Sequence, residues 1–412
     1  MTFTATRAAG LVQLADFVPR AGRTYAAERN IDRGPDNRSN VSAVSPWVRH
    51  RLITEREVVE TALQRHSLQA ATKFVQEVYW RTYWKGWLEQ RPSVWSRYCA
   101  GIEPAFEALT ATQRTTYETA MAGRTGIDGF DDWAQELVDF GYLHNHARMW
   151  FASIWIFTLH LPWQLGADFF MRHLLDGDPA SNTLSWRWVA GLQTVGKTYL
   201  ATAQNIDFAT EGRFRPRGLA TQAIALEDDA PMPAPLGAPQ AQRVPAGRAA
   251  LLVHDDDLHA ESFEGALSAA GVEVVAVASA RGGQPRSPLN SPDRAVPLVA
   301  DFTAEALTDG RERAGAHYGA AVHALDTLTA SDLLPWLQAH SVTSIVTPYA
   351  PVGPVRDSLD RLAADLAGEG VSVSRLLRPW DAQAWPHASR GFFPFREKIA
   401  FLLREQNIGS DR

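Results

Sequence analysis

The chain has 412 residues, 45% of them hydrophobic and 21% charged, which predicts a globular protein of two domains. Its single cysteine, Cys99, excludes an internal disulfide and a four-cysteine iron–sulfur cluster supplied by this chain. The formal charge of −6 does not look like a nucleic-acid binder, but residues 1–217 carry 24 Lys+Arg against 22 Asp+Glu and the remainder 16 against 24, so the first half has the charge to line a basic groove.

From about residue 54 to 214 the texture is helical. "TEREVVETALQRH" opens with Thr54 as N-cap and Glu57 three residues on, a capping box. "KFVQEVYWRTYWKGWLEQ" spaces Phe74, Tyr79 or Trp80, Trp84 and Trp87 as one helix face does. "FDDWAQELVDFGYL" follows the same period, and "ARMWFASIWIFTLHL" is apolar on all sides, as a buried helix is. The 14 tryptophans of the chain need large buried surfaces or stacking partners. Residues 215–247 then accumulate Pro, Ala and Gly without periodicity, as a linker does. Beyond it, strands at 249–254 and "VEVVAVAS", a Pro-rich loop over 280–301, and further strands "TSIVTPY" and "VSVSRLL" alternate with helices, the pattern of a parallel sheet. No Gly-x-Gly-x-x-Gly follows the first strand, so a dinucleotide fingerprint is absent. The boundaries expected are 1–214 helical, 215–247 linker and 248–412 α/β.

No run of about 18 uncharged apolar residues occurs, and the N-terminus has no signal-peptide pattern. A cytoplasmic, monomeric protein without membrane contact is expected.

The stretch "LLDGDPASNTLSWRWVAG" (174–191) sets Asp176 and Asp178 around a glycine, then Asn182, Trp186 and Trp188. Arg148, on the buried helix, would be costly to bury unpaired, and Asp176 is its expected partner. Together with "HNHARM" (144–149), "QEVYWR" (76–81) and "VSAVSPWV" (41–48), the stretch resembles the flavin-binding domain of the photolyase/cryptochrome family over roughly residues 20–215. The fold this implies is an all-α, FAD-binding N-terminal domain of photolyase type, followed by an α/β domain similar to the family's antenna domain. That order is reversed relative to the family, as a circular permutation joined by the linker would make it.

The resemblance implies a set of roles. FAD is the cofactor. The Arg148–Asp176 pair lies against the isoalloxazine ring, Asp178 bonds its polar edge, Asn182 stands beside N5, and Arg81 belongs to the same binding set. Tyr25, Ser42 and Ser45 hold the phosphates, a task that suits hydroxyls and N–H groups at a helix start. Glu77, Trp80, Asn145, Met149 and Trp188 match the pocket for a cyclobutane pyrimidine dimer, with apolar walls and polar groups for its carbonyl and imide edges. A relative acting on the (6-4) photoproduct would carry histidines where Asn145 and Met149 stand. The implied reaction is light-driven repair of UV-damaged DNA, in which excited reduced FAD donates an electron, the dimer opens and the electron returns. A second antenna chromophore is not specified by any residue, and no protein partner is implied.

Trp186 and Trp163 match the proximal and middle members of the family's electron relay. No tryptophan matches the distal member, for which Trp95 and Tyr98 are the substitutes at hand. Two further departures are Val41, where the family has Thr, and His50-Arg51, where it has an aromatic–Gly pair.

Plainer readings stand beside these. Arg148–Asp176 read alone is a structural ion pair, Trp163 and Trp186 serve equally as core, and Trp84 and Trp87 are core. Glu77 and Trp80 share a helix face. His144 and His146, two apart, are not a metal pair. The run Asp255-Asp256-Asp257 is expected to be a solvated helix cap. The functional alternative is a cryptochrome-type photoreceptor, which would share the flavin site and need no dimer pocket.

Overall fold

The computed structural model describes residues 3–228, 230–283, 286–289 and 296–409. Helices occupy Arg7 through Ala209, and the first strand begins at Gly247. The capping box forms: Thr54 accepts from the Glu57 N–H while the Glu57 carboxylate accepts from the Thr54 N–H at 2.8 Å. The helix Leu68–Glu89, capped by Ser67, buries Phe74, Tyr79, Tyr83 and Trp87. Trp133, Trp150, Trp155 and Trp186 are all fully buried, which accounts for much of the tryptophan content by packing alone.

The C-terminal half is built on a parallel sheet of five strands in the order β3-β2-β1-β4-β5: β1 Gly247–His254, β2 Val272–Ala280, β3 Ala321–Leu325, β4 Ser344–Pro348 and β5 Ser372–Leu376. Helices cover both faces, as parallel sheets require. β3 lacks a sequence signal because it is an edge strand whose first four residues are exposed, so no buried alternation marks it. The stretch read as a loop over 280–301 gives way at Pro297 to the helix Pro297–Tyr318. Proline in the first turn suits a helix start, where its missing N–H has no partner to lose. Positions 284, 285 and 290–295 of that loop lie outside the described residues.

In an open parallel sheet the ligand crevice lies beyond the carboxyl ends of the strands, where the strand order reverses. Here that place, between β1 and β4, is filled by the helical half. Arg49 pairs with Asp256 at 2.6 Å. Arg51 pairs with Asp257 at 3.2 Å, with Asp381 at 2.6 Å and with Glu55 at 3.3 Å. Glu89 accepts from the Tyr349 hydroxyl and the Val352 N–H, both at 2.6 Å. Asp255 accepts from the N–H groups of Gly282 and Gly283. The Asp255–Asp257 run is therefore buried, with Asp256 and Asp257 ion-paired and Asp255 bonded to backbone N–H groups, in place of the solvated cap expected from sequence. Arg51 adopts a left-handed backbone, φ +48°, a conformation that favours glycine; its three carboxylate partners hold it there.

The described residues of 215–246 form no regular element, yet they are pinned along the helical half. Leu226 N–H donates to Ala190 and Leu236 N–H to Gln90, while Arg187 pairs with Asp228 at 2.6 Å. After β5 the chain returns. Trp380 stacks on Tyr79 at 4.8 Å and donates to the Thr82 hydroxyl, and Phe392 stacks on Trp80 at 3.5 Å. Gly86 lets Trp385 approach; a Cβ there would sit 2.6 Å from the indole. Trp380, Phe392, Phe395, Leu402 and Leu403 are members of the helical half's own core.

Candidate functional site

A cavity of about 690 Å³ opens in the helical half and is lined by Tyr25, Ser42, Ser45, Glu77, Trp80, Arg81, Asn145, Arg148, Met149, Asp176, Asp178, Asn182, Trp186 and Trp188. Of the sequence-predicted site residues, Trp163 alone is absent from its wall.

His144 starts the helix Asn145–Ser153 by accepting from the His146 N–H at 3.1 Å. One turn later Arg148 points inward. Its Nε donates to the Leu143 carbonyl and its two Nη atoms bond the two Asp176 oxygens at 3.0 and 2.9 Å. Burial works to raise the Asp176 carboxyl, but Arg148, with help from Arg81 and the Ser45 hydroxyl, outweighs it and holds the carboxyl below its usual range.

The Asp176-Gly177-Asp178 loop is clamped from behind. Arg49 Nε donates to the Gly177 carbonyl at 2.7 Å and Arg286 Nη1 to the Leu174 carbonyl at 2.8 Å. Asp178 has two tasks. One oxygen accepts from the Ser181 N–H at 2.8 Å and caps the helix Pro179–Val189; the other lies 3.7 Å from both Arg81 and Lys85. Against the cost of burial, Lys85, Arg81 and Arg49 keep this carboxyl far below its usual range. Asn182 is oriented by donating to the Ala167 carbonyl at 2.7 Å.

At the opposite end, Ser45 opens the helix Ser45–Arg49, and Ala43, between the two serines, takes a positive φ of +49°. Strain of this kind gathers at ligand clamps. Val41 lines the same end and brings no hydroxyl.

The mouth carries a different chemistry. Glu77, 41% exposed, lies 3.8 Å from Arg29. Crowding raises its carboxyl, against the lowering effect of Arg29 and Lys73. The Asn145 amide approaches the Met149 sulfur at 3.9 Å, and Trp188 stacks on Tyr199 at 5.6 Å. Trp163 stacks on Tyr98 at 5.5 Å, and Tyr98 in turn meets Trp95 at 5.5 Å, so the two substitutes for a distal tryptophan lie in one aromatic row with Trp163.

Residues 74–220 match the family described as the FAD binding domain of DNA photolyase. The matched stretch of the helical half thus resembles a photolyase-type FAD-binding domain. The chain is 32% identical over 157 residues to the deoxyribodipyrimidine photo-lyase of Streptomyces griseus, covering 37% of this chain and 32% of that protein. It is also 32% identical over 195 residues to a deoxyribodipyrimidine photo-lyase of Thermus thermophilus, covering 45% of this chain and 42% of that protein. A bacterial class III photolyase structure from Agrobacterium tumefaciens aligns with a TM-score of 0.42 at 25% identity, over 50% of this chain and 42% of that one. The chain thus spans less than half the length of these relatives. Its cofactor is FAD.

The photolyase-type site also contains residues that sequence reasoning missed. Lys85 was legible, since it stands one turn beyond Arg81 on the same helix face. Arg49 and Arg286 act only through the packing of the two halves, and no local signal marks them.

Proposed function

We propose that the protein repairs cyclobutane pyrimidine dimers in DNA under light. One observation carries this: the dimer-pocket set of Glu77, Trp80, Asn145, Met149 and Trp188 lines the same cavity as the flavin-site set. A photoreceptor would need only the second set.

The wall fits a flavin. Arg81 Nη1 is buried without a hydrogen-bond partner, and such a donor calls for an acceptor from a ligand. In this reading the bidentate Arg148–Asp176 pair, Asp178 and Asn182 would hold the flavin ring, Arg81 would supply the unpaired donor, and Tyr25, Ser42 and Ser45 would hold the phosphates. When bound, FAD in its reduced form would supply, under blue light, the electron that opens the dimer, and would take it back afterwards. The chain's own contribution is to bind and orient. Trp80 and Trp188 offer flat apolar walls to an extruded dinucleotide, Met149 fills the space between, and Glu77 and Asn145 bond the base edges. Trp186, on the cavity wall, and Trp163 would pass electrons inward when the flavin needs reducing.

The α/β half is, in the same reading, the family's antenna domain in permuted order. Its strand-end crevice is filled by Arg49, Arg51 and Glu89, so a second chromophore would bind elsewhere. Among the described residues no helix is long and apolar enough to cross a membrane.

The test uses protein loaded with FAD and chemically reduced, and an oligonucleotide carrying one cyclobutane thymine dimer. Blue light should split the dimer back into two thymines and darkness should not. A protein that holds reduced FAD and splits nothing in light would end this reading in favour of a photoreceptor.

A further inference from the structure

One large apolar ring at the cavity mouth is left uncovered. Phe393 is 69% exposed and lines the cavity. Its neighbour Phe392 is buried and does not line the cavity; it stacks on Trp80 with the ring planes 13° apart. Phe392 therefore backs Trp80, and Phe393 continues the same wall outward. The mount is firm. Phe395 packs on Tyr83 at 5.4 Å, and the Tyr83 hydroxyl donates to the Arg390 carbonyl at 2.8 Å. An aromatic ring fixed in water at the lip of a cavity has no packing role of its own.

Its charged neighbours along the chain are mostly cationic, with Glu397 the one acid among residues 389–398. The Arg396 guanidinium lies 5.2 Å from the Phe393 ring centroid. Arg390, Arg396 and Lys398 are exposed, and among the described residues none forms an ion pair with a carboxylate. A single ring flanked by unpaired cations is not the broad apolar patch that binds another protein. It is complementary to stacked bases between phosphates.

We propose that Phe393 is a wedge for duplex DNA, a reading that rests on the repair function above. As the damaged dinucleotide leaves the stack for the cavity, Phe393 enters the gap it leaves, with Arg390, Arg396 and Lys398 along the flanking phosphates. Apolar side chains inserted between base steps act in this way in DNA-bending proteins. A single strand has no stack to hold open, so the ring contributes selectively to duplex binding.

The FAD-loaded full chain is titrated in the dark with a duplex carrying one cyclobutane thymine dimer, and with the damaged strand alone, by fluorescence anisotropy. Phe393→Ala should weaken duplex binding about tenfold or more, the usual scale for a lost stacking contact, and leave the single strand unchanged. Phe393→Trp should restore duplex affinity. A 2-aminopurine beside the lesion should brighten on binding the parent and stay dim with Phe393→Ala. Unchanged duplex affinity, or an equal loss on both substrates, would overturn the wedge. Light-driven dimer splitting by the parent is scored separately. A parent that binds the damaged duplex but never splits the dimer would remove the repair reading and leave the affinity comparison intact.

Discussion

Arg49 bonds Asp256 at 2.6 Å through one nitrogen and the Gly177 carbonyl at 2.7 Å through another. One buried guanidinium thus ties the end of β1 to the loop that carries both site aspartates. Asp256→Ala leaves that cation unpaired, and breaking such a pair costs about 3–5 kcal/mol. Urea denaturation should show the loss, and FAD should dissociate faster on dilution. Parent-like stability and FAD retention would mean that the loop is held without help from the α/β half.

Asp176→Ala strands Arg148 in the cavity wall, where its side chain has been held by two parallel hydrogen bonds. The purified variant should carry far less flavin than the parent. An equally yellow preparation would refute the pairing argument.

Glu77→Ala removes a carboxylate from the mouth, where its ion-pair partner is Arg29 and no member of the flavin set. Losing a charge-assisted hydrogen bond costs roughly 1.5–3 kcal/mol, so affinity for the damaged oligonucleotide should fall by about tenfold to a hundredfold with flavin content unchanged. Equal affinity would take Glu77 out of the substrate site.

Acid should destabilise the fold in a defined window. Burial, with like-charged neighbours, lowers His146 from 6.5 to about 4, and burial likewise lowers His259 to about 4 despite Glu57 nearby. The folded state then binds fewer protons than the unfolded one between those values, so stability is full above pH 6.5 and declines as pH falls towards 4. Glu57, lowered to about 2 by Arg7 and its cap bonds against the cost of burial, extends the loss further down. Urea melts across this range should show the slope, and His259→Gln should flatten its upper part. An unaltered slope in the variant would exclude His259.

Light-driven reduction of the bound flavin tests the relay. Trp186→Phe should abolish it and Trp163→Phe should slow it, both followed by loss of the oxidised-flavin absorbance under blue light with a thiol present. Because Tyr98 stacks on Trp163, Tyr98→Phe should slow reduction too if the row carries electrons; a rate equal to the parent's would confine the path to the two tryptophans.

Local signals were readable where a short segment satisfies itself. The Thr54–Glu57 box and the aromatic face of Leu68–Glu89 needed no distant partner. Arg148 with Asp176 could be paired from the cost of burying a charge, helped by the family likeness of the motifs around them. The Asp255–Asp257 run misled for the same reason turned around. Its partners Arg49, Arg51 and Arg378 lie more than a hundred positions away, and three adjacent acids look solvated when those partners cannot be seen. β3 escaped notice because exposure removes the alternation that marks a strand. Phe393 was lost among residues of ordinary composition, since its meaning depends on the cavity it borders.

The return of residues 380–403 into the helical core bears on how the protein is made. The Leu68–Glu89 helix leaves the ribosome long before the rings that cover Tyr79, Trp80 and Tyr83, some three hundred positions later, are translated. At about 5–20 residues per second, that aromatic face waits on the order of tens of seconds for its lid. During that interval the nascent chain presents a sticky surface to its neighbours, so its yield in the cell should depend on chaperones that shield emerging chains.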